Sequence, residues 1–110
     1  MFYSNSVSLD AHLFENTKIK LIRSKPEGHT YLCFWIYLLT MGARIVANSE
    51  IERPDFEPYS IDDLAVVSGF SPRIIQEALV LFEDLYMITR DKGLIRLKNW
   101  DYYQNRDDIR

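Results

Sequence analysis

The sequence predicts an α+β fold, mostly helical, that closes with a β-hairpin. Three observations predict it. Apolar residues recur at helical spacing through the middle of the chain, serines at Ser60 and Ser71 stand where helix caps belong, and two short alternating runs flank Asp91-Lys92-Gly93. With 110 residues the chain has the length of one domain, taken as residues 1–110. Hydrophobic residues at 47% and charged residues at 26% match globular averages, which excludes a disordered or fibrous chain.

Residues 1–15 hold no clear period and read as extended, although Val7, Leu9, Leu13 and Phe14 are apolar enough to pack. From Thr17, the order Ile19, Leu21, Ile22 with Lys18, Lys20 and Arg23 between them suits a short amphipathic helix, ended by Pro26 and Gly28. A second helix is expected from His29 to about Val46. Its Leu32, Trp35, Ile36, Leu39 and Ala43 form one stripe, and Phe34, Tyr37, Leu38 and Met41 make the other side apolar too. Such a helix is central or shared with a partner, and so small a domain is expected to leave one face uncovered. Ala47 to Tyr59 carries two prolines and four acids and reads as a loop.

Ser60 with Asp63 three residues on is close to a capping box, and Ile61, Leu64, Ala65 and Val67 build a short helix that Gly69 closes. Ser71-Pro72 supplies the next cap, with proline at the first helical position. Ile75, Ala78, Leu79, Phe82 and Leu85 mark the buried stripe of that helix. Met87–Arg90 and Leu94–Lys98 are short strands around a turn where Gly93 supplies conformational freedom, so the hairpin spans about 86–98.

Short helix, glycine-containing turn, capped longer helix and basic hairpin follow one another as in a winged helix-turn-helix with a C-terminal β-hairpin wing. In that motif the N-terminal residues of the second helix face base edges in the major groove. Arg73 and Gln76 are therefore candidates to read guanine and adenine, with Ile74 a third base-contact candidate. Ser71, Arg90, Lys92, Arg96 and Lys98 are phosphate-contact candidates, joined by Lys18 and Lys20 of a second basic patch that includes Arg23 and Lys25. Glu77, Glu83 and Asp84 repel phosphate along the later turns of the same helix, so only its first turn suits DNA. Arg96 and Lys98 alternating with Ile95 and Leu97 also fit a half-buried edge strand whose charges oppose aggregation. A net charge of -3 and a pI near 5.3 exclude a generic polycation, so any nucleic-acid site is local.

Nothing in the sequence points to catalysis. His12 and His29 have no companion at metal-ligand spacing, and the single Cys33 excludes an internal disulfide and is expected to be inert inside an apolar helix. The pair Asp62-Asp63 lies in the first turn of a helix, where the dipole favours negative charge. No glycine-rich phosphate loop, nucleophile elbow or dinucleotide fingerprint occurs. The chain is read as a non-enzyme without cofactor or metal. The apolar run Tyr31–Leu39 is far short of the ~18 residues a membrane span needs, and no N-terminal stretch has the basic, apolar and small-residue parts of a signal peptide. Together with the single cysteine, these features predict a cytoplasmic protein.

The stretch from Leu9 to Ile22, followed by Pro26-Glu27-Gly28 and the aromatic helix, resembles the N-terminal domain of phage replisome organisers. That family belongs with DnaD-like primosome components and plasmid initiators. The resemblance continues through Pro58-Tyr59-Ser60, Leu64-Ala65, Ala78-Leu79, Met87-Ile88 and Asn99-Trp100 with Gln104, and so covers nearly the whole chain. It implies a winged helix that binds origin DNA during replication initiation in a bacterial host, oligomerises there and helps to recruit the helicase loader or helicase. The recruiting contacts are expected in a C-terminal region beyond this N-terminal domain. Two positions depart from the family pattern. The acidic, proline-bearing segment Glu50–Pro58 stands where relatives have a glycine-containing strand, which argues against a third strand here, and Tyr86 stands where glycine is common before Met87-Ile88.

A different class of function fits the same residues. In an oligomerisation and protein-interaction module, Phe2, Tyr3, Trp100, Tyr102 and Tyr103 would be buried between subunits, in keeping with the acidic pI and the all-round apolar helix. A transcriptional repressor would share the fold as well.

Overall fold

The computed structural model describes residues 6–49, 55–56, 60–91 and 94–98. Leu13–Glu15, in the stretch expected to be extended, forms a 3-10 turn that leads directly into α1, Thr17–Arg23. Asn16 caps α1, its side-chain oxygen accepting from the N–H groups of Lys18 at 2.8 Å and Ile19 at 3.2 Å. The connection to α2, Gly28–Ser49, is tight: Lys25 N–H donates to the Ile22 carbonyl at 3.1 Å and Gly28 N–H to the Lys25 carbonyl at 2.9 Å. Gly28 is buried against the last turn of α1. A β-carbon there would collide with the Ile22 carbonyl oxygen and lie 2.7 Å from the Arg23 Cα, so only glycine allows this approach.

Helix α2 is central. Leu32, Phe34, Leu38, Leu39 and Met41 are buried, while Trp35, Ile36, Tyr37 and Ala43 are half-buried against the same core. Over residues 28–44, where burial is described, the broad uncovered face expected from the sequence is reduced to a narrow line through His29, Cys33, Thr40 and Arg44, because α1, α4 and a strand all pack on this one helix. Cys33 is accordingly exposed and not enclosed.

The segment read as a loop contributes strand β1, Asp55–Phe56. Asp55 lies opposite Arg96 and Phe56 opposite Ile95 in antiparallel register. This corrects the expectation of no third strand. Prolines at 54 and 58 flank the strand in the sequence, and its two residues pair part of an otherwise open strand edge.

Ser60 caps α3, Ile61–Ser68, its hydroxyl oxygen accepting from Asp63 N–H at 3.0 Å, and Gly69 ends the helix at a φ of 83°. Ser71 caps α4, Pro72–Asp84, by accepting from Ile74 N–H at 3.2 Å. The chain bends by 107° between the two helices, within the ~90–120° of a helix-turn-helix. Phe70 in the turn packs edge-on against Phe34 of α2, ring centres 5.2 Å apart, and so anchors the bend to the core.

Helix α4 leaves through two backbone bonds, Tyr86 N–H to the Glu83 carbonyl at 3.0 Å and Met87 N–H to the Phe82 carbonyl at 2.9 Å. This is a Schellman closure, and Tyr86 takes its left-handed position at a φ of 62°. Strands β2, Ile88–Asp91, and β3, Leu94–Leu97, follow as an antiparallel hairpin with Ile88 opposite Leu97. Sheet order is β1-β3-β2. The succession α2-β1-α3-α4-β2-β3 closed by that hairpin is the winged-helix arrangement. Its core joins Ile22, Phe34, Leu38, Leu64, Ile75, Leu79, Phe82 and Ile88, drawn from all four helices and the sheet. Among the described residues, no single helix is both long and apolar enough to cross a membrane.

Candidate nucleic-acid interface

The first turn of α4 is capped, exposed and divided by helical geometry. Ile74, Ile75, Ala78, Leu79 and Phe82 are buried, whereas Arg73, Gln76, Glu77 and Val80 face outward. Ile74, a base-contact candidate by position in the sequence, is only 5% exposed and leaves the candidate set: one residue after Arg73, it falls on the inward side. Gln76 is exposed. Ser71 is exposed too, with its oxygen engaged as the helix cap.

Arg73 lies in a network of four side chains. Its Nη1 is 2.7 Å from Glu27 Oε2 and 3.0 Å from Glu77 Oε1. The same Glu77 oxygen accepts a hydrogen bond from the Tyr31 hydroxyl at 2.7 Å. Hydrogen bonding and attraction from Glu27, with Glu77 adding to both, push the Arg73 guanidinium further toward its charged form. The hydrogen bond from the Tyr31 hydroxyl, joined by the charge and hydrogen bond of Arg73, outweighs the opposing effect of burial and holds the Glu77 carboxyl below its ordinary range. Tyr31 is raised in turn, first by donating to Glu77.

The remaining cations differ in their surroundings. Arg90 donates from Nε at 3.2 Å and Nη2 at 3.0 Å to one Glu83 oxygen, which braces the wing against the last turn of α4. Lys98 holds its ammonium 5.7 Å from the Tyr86 ring centre, and Arg96 is exposed on β3 opposite Thr89. On α1, Lys20 is exposed, Lys18 is half-buried and Arg23 lies 4.9 Å from the Phe14 ring centre. The Glu27–Arg73 bridge brings the connection after α1, with exposed Lys25 two residues earlier, beside the start of α4. Lys92 and the candidate interface residues Phe2, Tyr3, Trp100, Tyr102 and Tyr103 lie outside the described residues.

Sequence reasoning missed Glu27 and Tyr31. The spacing of Arg73 and Glu77 is a readable i,i+4 pair, but Tyr31 and Glu77 are 46 residues apart and no local pattern joins them. Among the described residues, no group of three or more His, Cys, Asp or Glu side chains is placed to hold a metal ion.

No curated protein and no solved structure matches the chain. The model of the N-terminal phage replisome organiser family does, over residues 7–110, which takes in the four helices, the sheet and every candidate contact just described except Phe2 and Tyr3, and the chain therefore belongs to that family.

Proposed function

We propose that this domain binds duplex DNA at an origin during the initiation of phage DNA replication, in the cytoplasm of the bacterial host. In this reading the first turn of α4 enters the major groove, with Arg73 and Gln76 toward bases. Ser71 and the cations Arg90, Lys92, Arg96 and Lys98 meet phosphates on one side, and Lys18 and Lys20 extend the contact along α1. The observation that carries it is the exposed, serine-capped start of α4, held at a 107° bend from α3 within a replisome-organiser domain. Assembly into a homo-oligomer on the DNA, and contact with a helicase loader or helicase through a C-terminal region, belong to the same proposal.

Fluorescence anisotropy of a labelled random duplex, titrated from about 50 to 200 mM salt, tests it. Several phosphate contacts predict an affinity that falls by orders of magnitude over that range. Absence of binding at the lowest salt overturns it.

A second reading, a module that binds protein and not DNA, is favoured by the exposed valines of α3, Val66 at 83% and Val67 at 54%. That reading predicts a concentration-dependent mass by light scattering that Val66→Ser abolishes, together with no affinity for duplex.

A further inference from the structure

Among the described residues, the guanidinium of Arg73 is held at one nitrogen. Glu27 and Glu77 both approach Nη1, at 2.7 and 3.0 Å, and Nη1 donates a hydrogen bond to Glu77 Oε1. The N–H groups on Nε and Nη2 have no partner among the described residues, and the side chain is 59% exposed. These two nitrogens form a planar fork that matches two acceptors side by side.

Both anchors of this fork trace to the body of the domain. Glu27 immediately precedes α2, and Tyr31, one turn into α2, fixes the Glu77 oxygen that Arg73 uses. A free arginine must lose rotamer freedom when it binds. Here the carboxylates impose much of that order beforehand.

Charge also selects the acceptor. Two carboxylates around one guanidinium leave a local charge of minus one, which disfavours a phosphate. The N7 and O6 atoms of guanine are neutral acceptors in the major groove, spaced for the same fork. We infer that Glu27 and Glu77 are positioning residues for sequence discrimination, aiming the Nε/Nη2 edge of Arg73 at guanine and disfavouring phosphate as its alternative partner. The inference rests on the proposed binding of duplex DNA.

A labelled, randomised duplex library tests it, with total affinity read by anisotropy and the bound fraction sequenced. The unaltered domain is expected to enrich guanine at one position or more, by roughly tenfold, the discrimination of a bidentate pair. Arg73→Ala is expected to lose that enrichment while keeping salt-dependent binding. Glu27→Gln is expected to bind the unselected library more tightly and to enrich guanine several-fold less. Tyr31→Phe, which changes no charge at neutral pH, is expected to lower enrichment and leave total affinity unchanged. Thermal melts of each variant exclude unfolding as the cause.

Guanine enrichment that rises in Glu27→Gln would mean that the carboxylates withhold Arg73, and it overturns the inference. Enrichment retained by Arg73→Ala overturns it as well. Duplex binding by the unaltered domain without guanine enrichment sinks the inference and leaves the DNA-binding reading standing, whereas no duplex binding at about 50 mM salt sinks both.

Discussion

The ammonium of Lys98 lies 5.7 Å from the ring centre of Tyr86, a residue held in the left-handed conformation where the chain leaves α4. A β-carbon in that conformation costs about 1–2 kcal/mol, and a cation over an exposed ring returns about 0.5–1 kcal/mol. Tyr86→Gly is therefore expected to stabilise the domain by up to about 1 kcal/mol, since glycine removes the strain and Tyr86, 70% exposed, contributes little packing. Tyr86→Ala keeps the strain and loses the contact, so it is expected to destabilise. Urea midpoints at unchanged slope compare the two, and a glycine variant less stable than the alanine one would refute the strain.

Tyr86 also shows how far a sequence reaches. The caps at Ser60 and Ser71 and the stop at Gly69 were legible because each acts within four residues. The inward stripe of α4 was legible as a helical period, and that period places Ile74 inside. Strand β1 was not legible, because two residues between prolines have no period and their pairing depends on β3, some forty residues later. At the site, exposure of Arg73 and Gln76 followed from position, while the partners of Arg73 came from tertiary structure.

Gly28→Ala tests a close backbone approach between α1 and α2. The added carbon would meet the Ile22 carbonyl and the Arg23 Cα, backbone atoms that cannot swing aside as a flexible side chain does. Helices α1 and α2 must then separate, at the expense of Ile19 and Ile22, both buried. Overpacking of this kind costs about 1–3 kcal/mol. Circular dichroism should show a melting temperature lower by several degrees, and an unchanged one would mean that α1 docks less rigidly than described.

Glu83 and Arg90 couple the end of α4 to the wing. Two N–H groups converge on one carboxylate oxygen, and the side chains are 42% and 30% exposed. Solvent screening limits such a pair to about 0.2–1 kcal/mol. A double-mutant cycle with Glu83→Gln and Arg90→Ala should give a coupling in that range at low salt. At 1 M salt, where the screening length is about 3 Å, the coupling should shrink toward zero; a coupling that persists would place the pair in a drier setting.

Acidity and alkalinity should each dissolve the Tyr31–Glu77 bond. Glu77 is held below its ordinary 4.5, so its contribution to stability is full above that value and is lost as pH falls through the lowered one. Tyr31 is raised above its ordinary 10.0, so its contribution is full below that value and is lost as pH rises through the raised one. Tyr31→Phe removes the donor that is the first cause of the Glu77 shift and abolishes the Tyr31 titration altogether. The stability difference between the unaltered domain and Tyr31→Phe should therefore be largest between pH 4.5 and 10.0 and close at both ends. Urea titrations across the pH range measure it directly. A difference that stays constant with pH would show that packing of the Tyr31 ring, and not its hydroxyl, holds this side of the network together.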